Sequence, residues 1–209
     1  KNTKVIAIDR DIESEKIADQ LKGSGLARRF VLQGGTLAID RTVRSFSDKT
    51  EGVSGNAVVC TMEGSRPLLI EVQALVTGSS YGTPQRTANG FDRNRLLLLL
   101  AVLEKRAGFN FSNHDVYLNI AGGFRLGDPA GDLGVCIALV SSLLDKAIQK
   151  QSAFIGEVGL GGEIRTVPHI EQRRKEASKL GFKQIVSPSG KGLEGVTYLR
   201  DAIKKAILN

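Results

Sequence analysis

Five consecutive leucines, Leu96–Leu100, constrain the fold of this chain more than any other feature. They open the most apolar run in the sequence, Leu96–Leu103, which is eight residues long. A membrane-spanning helix needs roughly 20 apolar residues, so the run is too short to cross a bilayer and has to be buried in protein. Five successive apolar positions cover most of a helix's circumference, which predicts a helix central to the core. The flanks set its ends. Over Phe91–Ala107, Asp92 suits the electropositive N-terminus, Lys105 and Arg106 suit the negative C-terminus, and Gly108 stops the helix. A chain of 209 residues with 41% hydrophobic content is long enough to build a core around it. No secretory signal is read at the start, where Lys1 leads straight into a strand-like run.

Other elements follow from periodicity and turn chemistry. Ala57–Met62 and Leu68–Val76 read as a hairpin turning on Glu63-Gly64-Ser65-Arg66, with Ile70, Val72, Ala74 and Val76 on one face. Thr77–Gly90 reads as an irregular loop and Val116–Ile120 as a strand. Asp128-Pro129 is a start signal for a helix over Ala130–Lys146. Ala153–Leu160 and Glu163–Val167 read as a second hairpin around Gly161-Gly162. A basic helix over Ile170–Leu180, a strand at Gln184–Val186 and a helix over Tyr198–Leu208 complete the series. Before all this, strand-like Lys4–Ile8, helical Ile12–Leu21 and strand-like Phe30–Leu32 with a Gly34-Gly35 turn form a strand–helix–strand piece of the kind used in parallel sheets. The expected organisation is α/β (α+β): the N-terminal piece over 1–45, a polar linker over 46–55, and the main domain over 56–209.

A formal net charge of +7 and a pI near 9.5 suit a polyanionic partner such as nucleic acid, or serve ordinary solubility. The absence of Trp and an aromatic content of 5% argue against recognition by stacking single-stranded bases. Cys60 and Cys136 each sit among apolar residues and read as buried small hydrophobes in a protein of a reducing compartment. With no Cys-x-x-Cys pair, and only His114 and His169 as histidines, a tetrahedral zinc site is not expected. Glu157 and Glu163 flank the second glycine turn, either as a catalytic pair or in a structural role. Lys204-Lys205 reads as the solvated side of the last helix.

Three strings sharpen the reading: Gly127-Asp128-Pro129-Ala130-Gly131-Asp132-Leu133, the stretch Gly156–Val167, and Pro168–Lys175. Together they resemble the Lon-type protease domain, which implies a fold like the second domain of ribosomal protein S5. In that family a serine at the start of a helix is the nucleophile, and a lysine after the second hairpin is its general base. The serine position falls here on Ala130 and the lysine position on Arg173. Alanine has no hydroxyl, and a guanidinium stays protonated, with a pKa above roughly 12. Lys175, two residues on, lies about 200° further round a helix and does not replace the base. The resemblance therefore implies a scaffold without peptidase chemistry. A serine peptidase domain using Ser141 or Ser142, and a purely structural assembly domain, are the alternatives.

A narrower resemblance rests on Thr61–Val76, Tyr81–Leu96 and Ala101–Arg106. Over about 51–209 the chain is similar to the C-terminal region of the RadA (Sms) family of DNA repair proteins. That family combines a zinc motif, a RecA-like ATPase and a Lon-like domain in a hexameric motor on DNA. The resemblance implies a homo-oligomer, a hexameric ring, that contacts DNA and no membrane. It also implies a cytoplasmic setting, or an organellar one in a eukaryote. This sequence has neither a Gly-x-x-x-x-Gly-Lys-Ser/Thr phosphate loop nor a four-cysteine motif, so ATP and zinc are expected only in other domains of such a protein. The candidate DNA contacts are Arg86, Arg93 and Arg95 near the leucine helix, and Arg173, Arg174 and Lys175 on the basic helix. Intersubunit ion pairs or a solvated face are the other readings of the same cations. Val5–Arg10, Ser14–Ala18 and Phe30–Gly35 weakly resemble the C-terminal half of a rhodanese domain, with Asp9 where that family has its sulfur-carrying cysteine.

Overall fold

The computed structural model describes residues 30–33, 36–39, 52–79, 82–189 and 195–208. The chain divides into two units, Lys1–Lys49 and Thr50–Asn209. In the first, β1 (Phe30–Gln33) pairs antiparallel with β2 (Thr36–Ile39), Phe30 opposite Ile39 and Gln33 opposite Thr36. The strand expected at Phe30–Leu32 is present, but its partner is the segment that follows it. Only Gly34 and Gly35 separate the two strands in sequence. A hairpin can be that short, whereas a parallel partner needs a crossover of a dozen or more residues. The Lys4–Ile8 strand, the Ile12–Leu21 helix and the rhodanese-like strings around Asp9 lie outside the described residues.

The second unit is built on a mixed sheet. Its strands are β3 (Asn56–Glu63), β4 (Arg66–Gly78), β5 (Arg86–Asn89), β6 (His114–Ile120), β7 (Ser152–Phe154) and β10 (Gln184–Val186), in the order β10-β7-β3-β4-β6-β5. The β3–β4 and β4–β6 pairs are antiparallel, and β10–β7, β7–β3 and β5–β6 are parallel. The β3–β4 hairpin turns on Gly64 and Ser65, with Gly64 at φ +58 in the position where two-residue turns favour glycine. Strand β5 lies in the segment expected to be a loop. It is short and polar, and it becomes a strand because Arg86–Asn89 finds an open edge on Val116–Asn119. The single strand expected over Ala153–Leu160 divides into β7 and β8 (Glu157–Val158), and β8 pairs with β9 (Ile164–Arg165). Between β7 and β8 the chain leaves the sheet at Gly156, which donates to the Ala130 carbonyl at 2.8 Å and accepts from the Leu133 N–H at 3.1 Å.

The leucine run forms α1 (Arg93–Val102), capped by Asp92, whose carboxylate accepts from the Arg95 N–H at 2.7 Å. It continues into a π-helical turn, Leu103–Ala107, closed by left-handed Gly108. The helix is not central. Leu96, Leu99, Leu100 and Leu103 face the core, while Leu97 and Leu98 are 38% and 53% exposed. A helix packed by one stripe buries positions three and four apart, and the leucines between them face outward. The central element is α2 (Asp132–Leu144), entered through a 3₁₀ turn at Pro129–Gly131 and buried at every position from Asp132 to Ser141. It lies so close to β3 that a Cβ on Gly134 would sit 2.1 Å from a Val59 methyl.

Both faces of the sheet carry cores. Ala57, Val59, Ile70, Val72, Val116, Leu118 and Ile120 pack with α1, α2 and α4 (Leu199–Ile203). A second cluster, with Cys60, Leu69, Ala130, Ala153, Ile155 and Val167, includes Ala177 of α3 (Ile170–Lys179). Along the same sheet, Asn89, Asn119, Gln73 and Glu71 join in a ladder of side-chain hydrogen bonds of 2.7–3.0 Å. No helix among the described residues is long and apolar enough to cross a membrane.

Candidate functional site

The two positions singled out by the Lon-type resemblance, Ala130 and Arg173, converge on one carboxylate, Asp128. It is the N-cap of the Pro129–Gly131 turn, and its Oδ1 accepts from the Ala130 N–H at 3.0 Å. Its Oδ2 accepts from the Met62 N–H at 3.1 Å and forms an ion pair with Arg173 at 2.6 Å. Arg173 reaches the pair from α3. Its guanidinium also donates to the Cys60 carbonyl at 2.8 Å and the Pro168 carbonyl at 3.0 Å. A planar fork with several fixed donors suits three acceptors at once. Burial pushes the Asp128 carboxyl up. The Ala130 N–H, the Arg173 guanidinium and the Met62 N–H outweigh that and hold its pKa below the usual carboxylate value.

Neither Ala130 nor Arg173 supplies a nucleophile, and the hydroxyl that reaches Asp128, Thr61 Oγ1, is buried and donates to Oδ2 at 3.3 Å. Ala130 is fully buried among Cys60, Leu69, Ala153 and Ile155. The nearby Cys60 thiol is buried too, and its pKa is pushed up to about 12, so it stays protonated at neutral pH. Ser141 and Ser142, the alternative nucleophiles, act as stitches at the far end of α2. Ser141 Oγ is fully buried, donates to the Lys146 carbonyl and accepts from the Gly55 N–H at 2.8 Å, and Ser142 Oγ accepts from the Val76 N–H at 2.9 Å. Glu157 and Glu163 share Arg165, with Glu163 hydrogen-bonded to its guanidinium and Glu157 at 3.9 Å. That geometry is a structural carboxylate–arginine cluster. Among the described residues, no group of three or more His, Cys, Asp and Glu could hold a metal ion.

The candidate DNA-contacting cations divide into two sets. Arg86 donates to the carbonyls of Gln85, Phe111 and His114, tying the loop before β6 to β5. Arg95 grips fully buried Asp132 through two nitrogens, Nε to Oδ1 at 2.6 Å and Nη2 to Oδ2, while the Val158 N–H donates to Oδ2 at 3.2 Å. Burial pushes the Asp132 carboxyl above the usual carboxylate value, against the pull of Arg95 and Val158. Arg173 is 2% exposed and cannot reach a phosphate outside the protein, so its reading as a DNA contact is corrected. The outward set has the same number of members. Arg93 is exposed, with Nε on the Arg86 carbonyl at 3.1 Å, Arg174 is half-buried and donates to Ser187 Oγ at 2.7 Å, and Lys175 is exposed. Sequence reading missed the Asp128–Arg173 and Arg95–Asp132 pairs. Spacing along the chain could have flagged only that acidic residues flank Ala130.

Residues 90–191 match the family described as subunit ChlI of Mg-chelatase. The chain is 49% identical over 150 residues to the DNA repair protein RadA of Halalkalibacterium halodurans, covering 72% of this chain and 33% of that protein. It is 45% identical over 170 residues to the DNA repair protein RadA of Bacillus subtilis, covering 77% and 37%. Against the DNA repair protein RadA of Streptococcus pneumoniae it is 48% identical over 174 residues, covering 82% and 41%. Over most of its length this chain is similar to RadA. These relatives support the RadA resemblance read from the sequence, and the chain spans 33–41% of their length.

Proposed function

We propose that this chain is the non-proteolytic, Lon-like part of a RadA-type DNA repair protein, serving as the scaffold of a homo-oligomeric ring and as a surface that contacts DNA. The observation that carries the reading is the 45–49% identity to RadA proteins over 150 residues or more. The absence of peptidase chemistry is supported by Ala130 and Arg173, which lack the hydroxyl and the titratable amine a serine–lysine pair requires. Exposed Leu97 and Leu98 on α1 support assembly, because large apolar side chains facing outward favour a protein partner. The net charge of +7 and outward Arg93, Arg174 and Lys175 support contact with a polyanion. ATP and zinc belong, on this reading, to other domains of such a protein, a hexamer of the cytoplasm or of an organelle.

The test is a titration of labelled DNA across a salt series, with the mass of the protein measured in solution alongside. A RadA-type scaffold is expected to assemble and to bind DNA more weakly as salt rises. A monomer at high concentration would count against the ring, and salt-independent or absent binding would remove the DNA contact. One observation favours the second reading, a purely structural assembly domain. Arg86, Arg95 and Arg173 are engaged inside the fold, which leaves fewer cations for phosphate than the sequence suggests.

A further inference from the structure

A second group of cations meets on a different part of the surface. Lys105 and Arg106 come from the π-helical turn after α1, and Arg200 comes from the first turn of α4. They face one another across the Gly161–Gly162 turn in an open pocket of about 420 Å³, with Tyr198 on its wall. All three cations are exposed, and Tyr198 is 55% exposed. Asp201 is the one carboxylate in the lining, so the pocket is net positive. Lys105 and Arg200 make no side-chain hydrogen bond or ion pair among the described residues.

The pocket is held in shape from three sides. The Leu199 N–H donates to the Gly162 carbonyl at 2.9 Å, and the Ile164 N–H donates to the Thr197 carbonyl at 2.8 Å, stitching the glycine turn to the start of α4. Arg106 Nε donates to the Leu160 carbonyl at 3.3 Å, which leaves its terminal nitrogens for a ligand. Gly162 has φ +84, and a Cβ there would lie 3.0 Å from that of Arg106, so the arginine stem crosses directly over the glycine.

We propose that this pocket holds a phosphodiester of single-stranded DNA, with Lys105, Arg106 and Arg200 on the phosphate oxygens and a neighbouring base on the Tyr198 ring. The inference rests on the DNA-contacting reading above and gives that contact a location. Guanidinium forks match phosphate oxygens in pairs. An open pocket admits a chain passing through, whereas an isolated small ligand is usually held in an enclosing cleft. The low aromatic content argues against an extended stacking platform, but one exposed ring beside the cations, Tyr198, is enough for a single unpaired base.

The test uses the 209-residue chain and a fluorescein-labelled oligothymidylate, read by anisotropy from low to high salt. The K105A/R200A double variant touches two exposed, unpartnered side chains and is expected to melt like the parent chain. It should bind on the order of tenfold more weakly at low salt, with the log–log salt slope flattened by about 1.4, near 0.7 for each phosphate of a single strand that is no longer neutralised. Y198A should weaken binding severalfold at an unchanged slope. R106K retains the charge and should retain most of the affinity. If K105A/R200A binds like the parent while R174A/K175A loses affinity, the DNA contact lies on α3 and the pocket is excluded, with the broader reading intact. If duplex competes as well as the single strand and Y198A leaves affinity unaltered, the single-strand assignment is overturned. If the parent chain binds no DNA at all, both readings fall together.

Discussion

Asp128 shows at the scale of one residue how a single buried carboxylate can tie two distant segments together. Its two oxygens join the turn that carries Ala130 to the helix that carries Arg173. Adding a hydroxyl at Ala130 should create no peptidase activity. A130S is expected to show no casein cleavage and no labelling by a serine-reactive probe, because Arg173 cannot accept its proton and the site is closed to solvent. Removing the carboxylate charge should matter more. D128N leaves Arg173 buried without its counter-ion and should cost about 3 kcal/mol of stability, measured by urea denaturation. Its pH signature follows from the direction of the shift. The folded pKa of Asp128 lies below the unfolded value. Its contribution is therefore complete above the unfolded value, about 3.9, and is lost as pH falls through the lower folded one. The stability difference between the parent chain and D128N should narrow over that acid range and stay flat at neutral pH. A gap that widens on acidification would refute the sign. Near-neutral alkylation should leave Cys60 and Cys136 unmodified in the folded chain, since both are buried and burial raises both thiol pKa values.

Among the elements, α1 and α2 exchange the roles their sequences suggest. The leucine-rich helix uses one stripe, and the helix after Ala130, with its Gly134, is the one buried all round. L98E should therefore leave stability within about 0.5 kcal/mol, as substitutions on an open surface do, and should lower the assembled mass if that face joins two copies. L100A removes a buried side chain and should cost about 2–5 kcal/mol. G134A should be destabilising by roughly 1–3 kcal/mol or more in spite of alanine's better helix propensity, because the added methyl meets Val59. Thermal or urea melts of the three variants, run beside the parent chain, separate these expectations. A G134A variant as stable as the parent would show that α2 can shift away from β3.

Taken as a whole, the Thr50–Asn209 unit is a mixed sheet with a core on each face. How much of it was legible beforehand follows the range of the interactions involved. The Asp92 and Asp128 caps, the Gly64 turn and the stop at Gly108 depend on atoms a few residues apart, and sequence reading placed them. Strand β5 was missed because its strand character comes from pairing with β6, about a helix and a loop away in the chain. Arg173 was misjudged for a related reason, since a cation on a basic helix looks exposed until its carboxylate partner is placed beside it. Charge reversal at Lys175 should weaken DNA binding modestly and reduce the salt slope by about 1, whereas R173E should unfold the chain rather than report on DNA.

By itself the sequence determined the missing hydroxyl at Ala130, the fixed charge at Arg173, the net positive balance and the helix ends, because each is a property of a residue or of its nearest neighbours. Only the tertiary structure decided which leucines of Leu96–Leu100 face outward, which arginines are already engaged, and that Lys105, Arg106, Tyr198 and Arg200 share one pocket. Exposure and pairing depend on groups that the chain brings together from distant positions. The five leucines specified a helix, and the packing of α2 against the sheet specified which side of it the core would take.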